Sequence, residues 1–175
     1  LTKIFACDNG FSTVCKGYAL GTFLVAEDLP AAWDNWDIDA DLEMKMRPSA
    51  TLLERSIVSD GGVAFIIRSK YKISERSRIL QDMIFFADSP EIRFDTYVDW
   101  QDDHRFLKTC FDTNVREDFA RNEIQFGYCK RPTTRNNSIE QAKFEVSNHK
   151  YTDLSEVGYG VTLLNDCKYG ISVNG

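Results

Sequence analysis

The chain has 175 residues, 43% hydrophobic and 27% charged, a composition that excludes disordered and fibrous classes and allows one substantial core. Its net charge of −6 at pH 7 has the wrong sign for a surface that neutralises phosphates, so nucleic acid is not an expected partner. No apolar stretch exceeds the length of Val63 to Ile67, and no basic segment leads into an apolar one, so neither a membrane span nor a signal peptide is expected.

The chain begins at Leu1 without a Met, and its first residues already read as strand, which is the expectation for a piece cut from a longer protein. Strands are expected at 3–7, 11–18 and 20–26, with Asn9-Gly10 tolerating the positive φ of a tight hairpin. Asp28 ahead of Leu29-Pro30 has the form of a helical first turn. Asp34, Asp37, Asp39 and Asp41 then surround Trp33 and Trp36. Tested as a calcium loop from Asp37, the sixth position is Leu42 instead of Gly and the twelfth is Pro48 instead of Glu, so that reading fails. Two tryptophans among carboxylates can also form a platform that stacks on a sugar ring, but buried tryptophans with solvated acids are the expectation.

Strands are expected next at 42–47 and 51–58, followed by a turn at Asp60-Gly61-Gly62. Over 63–73 one face carries Val63, Phe65, Ile67, Ser69, Tyr71 and Ile73, and the other carries Arg68, Lys70 and Lys72, the pattern of a half-buried strand. Residues 79–86 are apolar on both faces apart from Gln81 and Asp82, as in the middle of a sandwich. From 91 to 100, Ile92, Phe94, Val98 and Trp100 point inward while Glu91, Arg93, Asp95 and Asp99 point outward. A strand at 106–111 follows, and Ile124, Phe126 and Tyr128 alternate with Glu123, Gln125 and Gly127 as another. Lys130-Arg131 and Arg135 flank Pro132 in an expected loop of solvated charge. Ser138 with Gln141 three residues on has capping-box spacing, and further strands are expected at 144–147 and 160–164. No window of 12 or more residues holds a helical apolar stripe, so the predicted class is all-β, an antiparallel β-sandwich.

The five cysteines, Cys7, Cys15, Cys110, Cys129 and Cys167, are odd in number and widely spaced with no CxxC pair, which favours reduced thiols over disulfides or a structural zinc. His104 and His149 stand about 45 residues apart, and neither has a second histidine or a carboxylate two residues on. No GxSxG elbow is present. The stretch from Tyr159 to Gly170 differs in kind. An apolar strand ends in Asn165-Asp166, and Tyr169 follows before Gly170, which places hydroxyl-binding groups and an aromatic ring at a strand end. Asn165, Asp166 and Tyr169 are the candidate substrate-binding residues.

The motifs DWQDDHRFLKTCF, EIQFGYCKRPTTRNNS, AKFEVSNHKYTDLSE and GYGVTLLNDCKYG, with DLPAAWDNWDID before them, closely resemble the β-sandwich region of the α-mannosidases of glycoside hydrolase family 38. Matches are dense from Trp100 to Gly170, thinner back to about Asp28, and the first 27 residues are not distinctive. Ile139 and Tyr151 depart from the family, which often has Trp at the first and frequently Trp at the second. The resemblance is to the bacterial, cytosolic and vacuolar branch.

That resemblance implies a galactose mutarotase-like supersandwich, here an incomplete single domain over 1–175. It implies a parent that is a retaining exo-acting hydrolase of terminal α-mannose, in which one carboxylate attacks the anomeric carbon and another protonates the leaving oxygen. In the family a zinc ion held by two His and two Asp serves that site. Those groups belong to the preceding catalytic domain, none of whose motifs occurs here, so the chain is expected to have no catalytic residue and no cofactor of its own. Mannose-containing oligosaccharide and the parent's catalytic domain are the implied partners, the cytoplasm is the implied compartment, and a homo-oligomer is left open. A free-standing carbohydrate-binding module and a purely structural domain remain as alternatives, the latter favoured by an exposed apolar face.

Overall fold

The computed structural model describes the backbone of residues 2–6 and the whole of residues 21–34 and 36–174. The expected strand at 11–18, the Asn9-Gly10 turn, Cys7 and Cys15 lie outside these residues. The elements run β1 (Thr2–Ala6), β2 (Thr22–Glu27), α1 (Leu42–Lys45), β3 (Arg47–Pro48), β4 (Thr51–Asp60), β5 (Ala64–Lys72), β6 (Arg78–Phe86) and β7 (Glu91–Asp99). They continue with β8 (Arg105–Cys110), β9 (Phe119–Ile124), β10 (Gly127–Pro132), α2 (Ser138–Gln141), β11 (Val146–Ser147), β12 (Tyr151–Glu156), β13 (Tyr159–Asn165) and β14 (Gly170–Ile171). The strand-dominated, antiparallel class read from the sequence is therefore the observed one.

Nine strands form one sheet in the order β10-β9-β12-β13-β1-β7-β6-β5-β4, and a second sheet of β3-β2-β8 packs on its inner face. The packing between layers divides into two clusters. Phe23 and Val25 from β2 meet Ile73 and Ile79, with Phe23 edge-on to Tyr71 at 5.3 Å. Phe94, Val115 and Val161 form the other, with Phe94 edge-on to Phe111 at 5.6 Å. Between them the register aligns Arg55, Ser69, Gln81 and Thr96 in one polar row on the inner face. Gln81 Nε2 donates to Thr96 Oγ1 at 2.9 Å and Arg55 Nε to Ser69 Oγ at 3.0 Å, which satisfies this buried polarity within the row.

The outer face carries charge. Arg68 grips Asp82 with two bonds of 2.7 and 2.6 Å, and Arg93 holds Asp95 at 3.0 and 3.2 Å. Asp82 and Asp95 are direct cross-strand partners, so each arginine offsets a like-charge repulsion as well as binding its own acid. The edge strand β4 has register shifts at Leu52/Glu54 and Ile57/Ser59, and Leu52, Leu53, Ile57 and Val58 stand exposed on it.

Several expectations are corrected. The strand at 42–47 is the helix α1 followed by the short β3. Leu42, Glu43, Met44 and Lys45 are strong helix formers, Glu43 and Lys45 sit at the favourable ends, and Lys45 pairs with Asp41 at 2.7 Å. No helix starts at Asp28. The run Ile124, Phe126, Tyr128 is two strands: Gln125-Phe126 is a hairpin loop with Phe126 at φ 64° and fully exposed. A two-residue loop preserves alternation in sequence while reversing the chain, so periodicity alone does not reveal it. Lys130 and Arg131 accordingly lie in β10, outside any loop.

The cap of α2 is Asn137 rather than Ser138. Its Oδ1 accepts from the amides of Ile139 and Glu140, while Glu140 reaches back to the Asn136 amide at 2.7 Å. Val63 stands exposed ahead of β5 instead of pointing inward. Trp33 and Trp36 are 76% and 90% exposed, contrary to the expected burial. Their segment lies outside both sheets, and its acids hold its own backbone: Asp39 accepts from the Ala31 amide at 3.0 Å and Asp37 from Ile38 at 2.9 Å. Strand β12 was not anticipated, because Thr152, Asp153 and Ser155 interrupt its apolar pattern.

Candidate functional site

The connection from β13 to β14 carries the three residues singled out above. Val161 and Leu163 bury one side of β13, and Asn165 ends the strand on that same inner side. Its backbone amide donates to Lys150 O at 3.0 Å, its Oδ1 accepts from the Lys168 amide at 3.1 Å, and its Nδ2 donates to Asn148 Oδ1 at 3.4 Å. Asn165 therefore shapes the loop, in the way asparagine commonly organises turns.

The relay continues inward. Asn148, fully buried, donates through Nδ2 to Thr152 Oγ1 at 2.6 Å, and its backbone amide donates to Tyr169 O at 2.9 Å. Thr152 lies opposite Asn122, which is also fully buried. Asn148 and Thr152 escaped the sequence reading; the polar run Asn148, His149, Lys150 ahead of a strand was the available signal.

Asp166 is exposed, and Tyr169 is half exposed with its ring edge-on to His149 at 5.6 Å. His149 is tied to β9 by its amide, which donates to Glu123 O at 3.0 Å, and the Lys150 amide donates to Glu123 Oε2 at 2.9 Å. On the far side, β11 and β14 pair through Ser147 and Gly170. Lys108 of β8 forms an ion pair with Glu145 Oε2, and it donates to Ser172 Oγ at 3.0 Å. The structure thus brings Asn165 and Tyr169 together through Asn148 and anchors their loop to both sheets. The groups presented outward are a carboxylate and a phenol, an arrangement suited to accepting hydroxyl donors and covering a ring.

Among the described residues no three His, Cys, Asp or Glu gather as a metal ion requires. His104 sits in a turn at φ 52°, its carbonyl accepting from the Asp28 amide at 2.8 Å. No helix among the described residues is long and apolar enough to cross a membrane.

Residues 4–175 match the model of the glycosyl hydrolases family 38 C-terminal domain. The chain is 38% identical over its whole length to alpha-mannosidase 2C1 of Homo sapiens and 36% identical to that of Mus musculus, and it spans 17% of the length of each. It is 37% identical to an alpha-mannosidase of Saccharomyces cerevisiae over 87% of this chain and 15% of that protein.

Proposed function

The chain belongs to the C-terminal domain family of the family 38 glycosyl hydrolases, and on that premise we propose that its parent is a retaining exo-acting α-mannosidase braced by this region. The observation that carries the reading is similarity along the whole chain to proteins named alpha-mannosidases. The exposed apolar side chains of β4, with Trp33 and Trp36, favour bracing, because surfaces of this kind are ordinarily covered. Attack on the anomeric carbon and protonation of the leaving oxygen fall to two carboxylates of the parent's catalytic domain, and so does any zinc. This chain contributes the loop: Asn165 sets its shape, Asp166 accepts a mannose hydroxyl, and Tyr169 covers the ring. The substrate is a mannose-terminated oligosaccharide, and the partner is the parent's own catalytic domain. The odd number of widely spaced cysteines supports a reducing compartment, which we assign as the cytoplasm.

The test is Asp166→Asn in the full-length enzyme. Loss of a charge-assisted contact of about 1.5–3 kcal/mol lowers kcat/KM roughly 10- to 150-fold with the melting temperature unchanged. Unchanged kinetics with a lowered melting temperature assigns the loop to turn stability instead.

A further inference from the structure

The outer face of the nine-stranded sheet holds a groove of about 390 Å³ at its β10-β9-β12-β13 end, lined by Arg121, Tyr128, Tyr151, Asp153, Thr162 and Leu164. It adjoins the β13–β14 loop in sequence but opens on the opposite side of the sheet from Asn165, because alternate residues of β13 face opposite ways. Register explains its shape. Tyr128 on β10 pairs with Glu123 on β9. Tyr128 lies two residues from Lys130 and Tyr151 two residues from Asp153, and Lys130 and Asp153 both pair with Arg121 of β9, so the two tyrosines share the next row of this face. With β9 lying between β10 and β12, the two phenol-bearing backbones therefore stand two strand spacings apart, about 10 Å. That separation leaves room for one saturated ring in contact with an aromatic ring on each side, at about 4 Å from each.

One row along, the floor is polar and charge-balanced. Arg121 Nη1 meets Asp153 Oδ2 at 2.9 Å, while Asp153 Oδ1 accepts from Thr162 Oγ1 at 2.9 Å and Ser155 Oγ at 2.6 Å. A paired cation and anion give no net attraction for a phosphate or an ammonium group, yet they offer donors and acceptors side by side, as vicinal hydroxyls require. Apolar walls with a few convergent polar groups are the usual make-up of a small-ligand site.

We propose that this groove is a binding site for a neutral pyranose, stacked between Tyr128 and Tyr151 with its hydroxyls on Arg121 and Asp153. The site is independent of the loop assigned above and of the parent's reaction. It would let the sandwich hold a saccharide unit that is not being cleaved.

The experiment is a titration of the ¹⁵N-labelled chain with methyl α-mannoside, methyl α-glucoside and inorganic phosphate, followed by amide chemical shifts. A glycoside is expected to shift residues 121–128, 151–154 and 162–164, with a Kd of the order of 1 mM. Tyr128 is half exposed, so Tyr128→Ala leaves the fold in place; it should weaken binding at least about five-fold, while Tyr128→Phe retains it. Shifts absent with both glycosides, shifts confined to 165–170, tighter binding of phosphate at the groove, or unchanged affinity in Tyr128→Ala would each overturn the proposal. Shifts confined to 165–170 would do so while supporting the loop. If Tyr128→Ala fails to fold, the shift map of the unaltered chain decides.

Discussion

Gly170 and Glu145 are packed so closely that a Cβ built on the glycine would overlap Glu145 Oε1. Glu145 is held there by Lys108, and Gly170 pairs with Ser147 across β14 and β11, so neither residue is free to withdraw. Gly170→Ala is therefore expected to destabilise the chain by about 1–3 kcal/mol, the usual cost of forcing atoms into a packed site. Urea denaturation measures it. In a Glu145→Ala background the cost should shrink, since the obstructing carboxylate is gone; an undiminished cost would show that the glycine serves something else.

Asn122 is 0% exposed, and among the described residues neither its Nδ2 nor its Oδ1 has a hydrogen-bond partner. A buried amide in that condition opposes folding, so Asn122→Leu, similar in size and apolar, is expected to leave stability unchanged or raise it by up to about 2 kcal/mol. Asn148→Ala should do the reverse and cost about 1–3 kcal/mol, because it strips Thr152 and Asn165 of a partner. Denaturation midpoints that move both variants downward together would contradict the distinction.

Two aspartates make the fold acid-sensitive. The hydroxyls of Ser74 and then Ser77 hold the Asp102 carboxyl below its usual range, and Arg68 does the same for Asp82. A carboxyl lowered on folding contributes stability above its unfolded value of about 3.9, and that contribution is lost as pH falls through and below it. The melting temperature should be flat from neutral pH to about pH 5 and fall below about pH 4, with a shallower fall in Asp102→Asn. A fall of the same depth in that variant would remove Asp102 from the cause.

Cys110 and Cys129 are partly buried and Cys167 is exposed, all three as free thiols. Burial first, and then Asp112, pushes the Cys110 thiol up and keeps it protonated. Alkylation of the native chain should modify Cys167 before Cys110, and alkylation after unfolding without reductant should modify all five cysteines. A mass shift corresponding to fewer than five would show a disulfide.

The purified 175-residue chain is expected not to hydrolyse an aryl α-mannoside, since the carboxylates of the reaction are assigned to the rest of the parent. Turnover that a chelator abolishes would overturn this.

Strands β5 and β7 are legible in the sequence because their apolar and charged residues alternate over nine positions each, long enough for a period to stand out, and β6 is legible as an apolar run. The helix α1 and the hairpin at Phe126 are not. Four residues are too few to display a helical period, and a two-residue reversal leaves a period of two intact. The burial expected of Trp33 and Trp36 rested on their size, whereas exposure depends on whether another part of the chain passes over them.

Sequence alone thus determined the all-β class, which residues of β5 and β7 face inward, and the position of a polar loop after β13. Only tertiary structure decided that β9 lies between β10 and β12, which brings Tyr128 and Tyr151 to one groove, and that Asn148 links Asn165 to Thr152. The reason is physical. Alternation is a property of one strand and its two faces, so local residues encode it. The choice of neighbouring strand is a property of the whole sheet, settled by burial and hydrogen bonding between segments far apart in the chain.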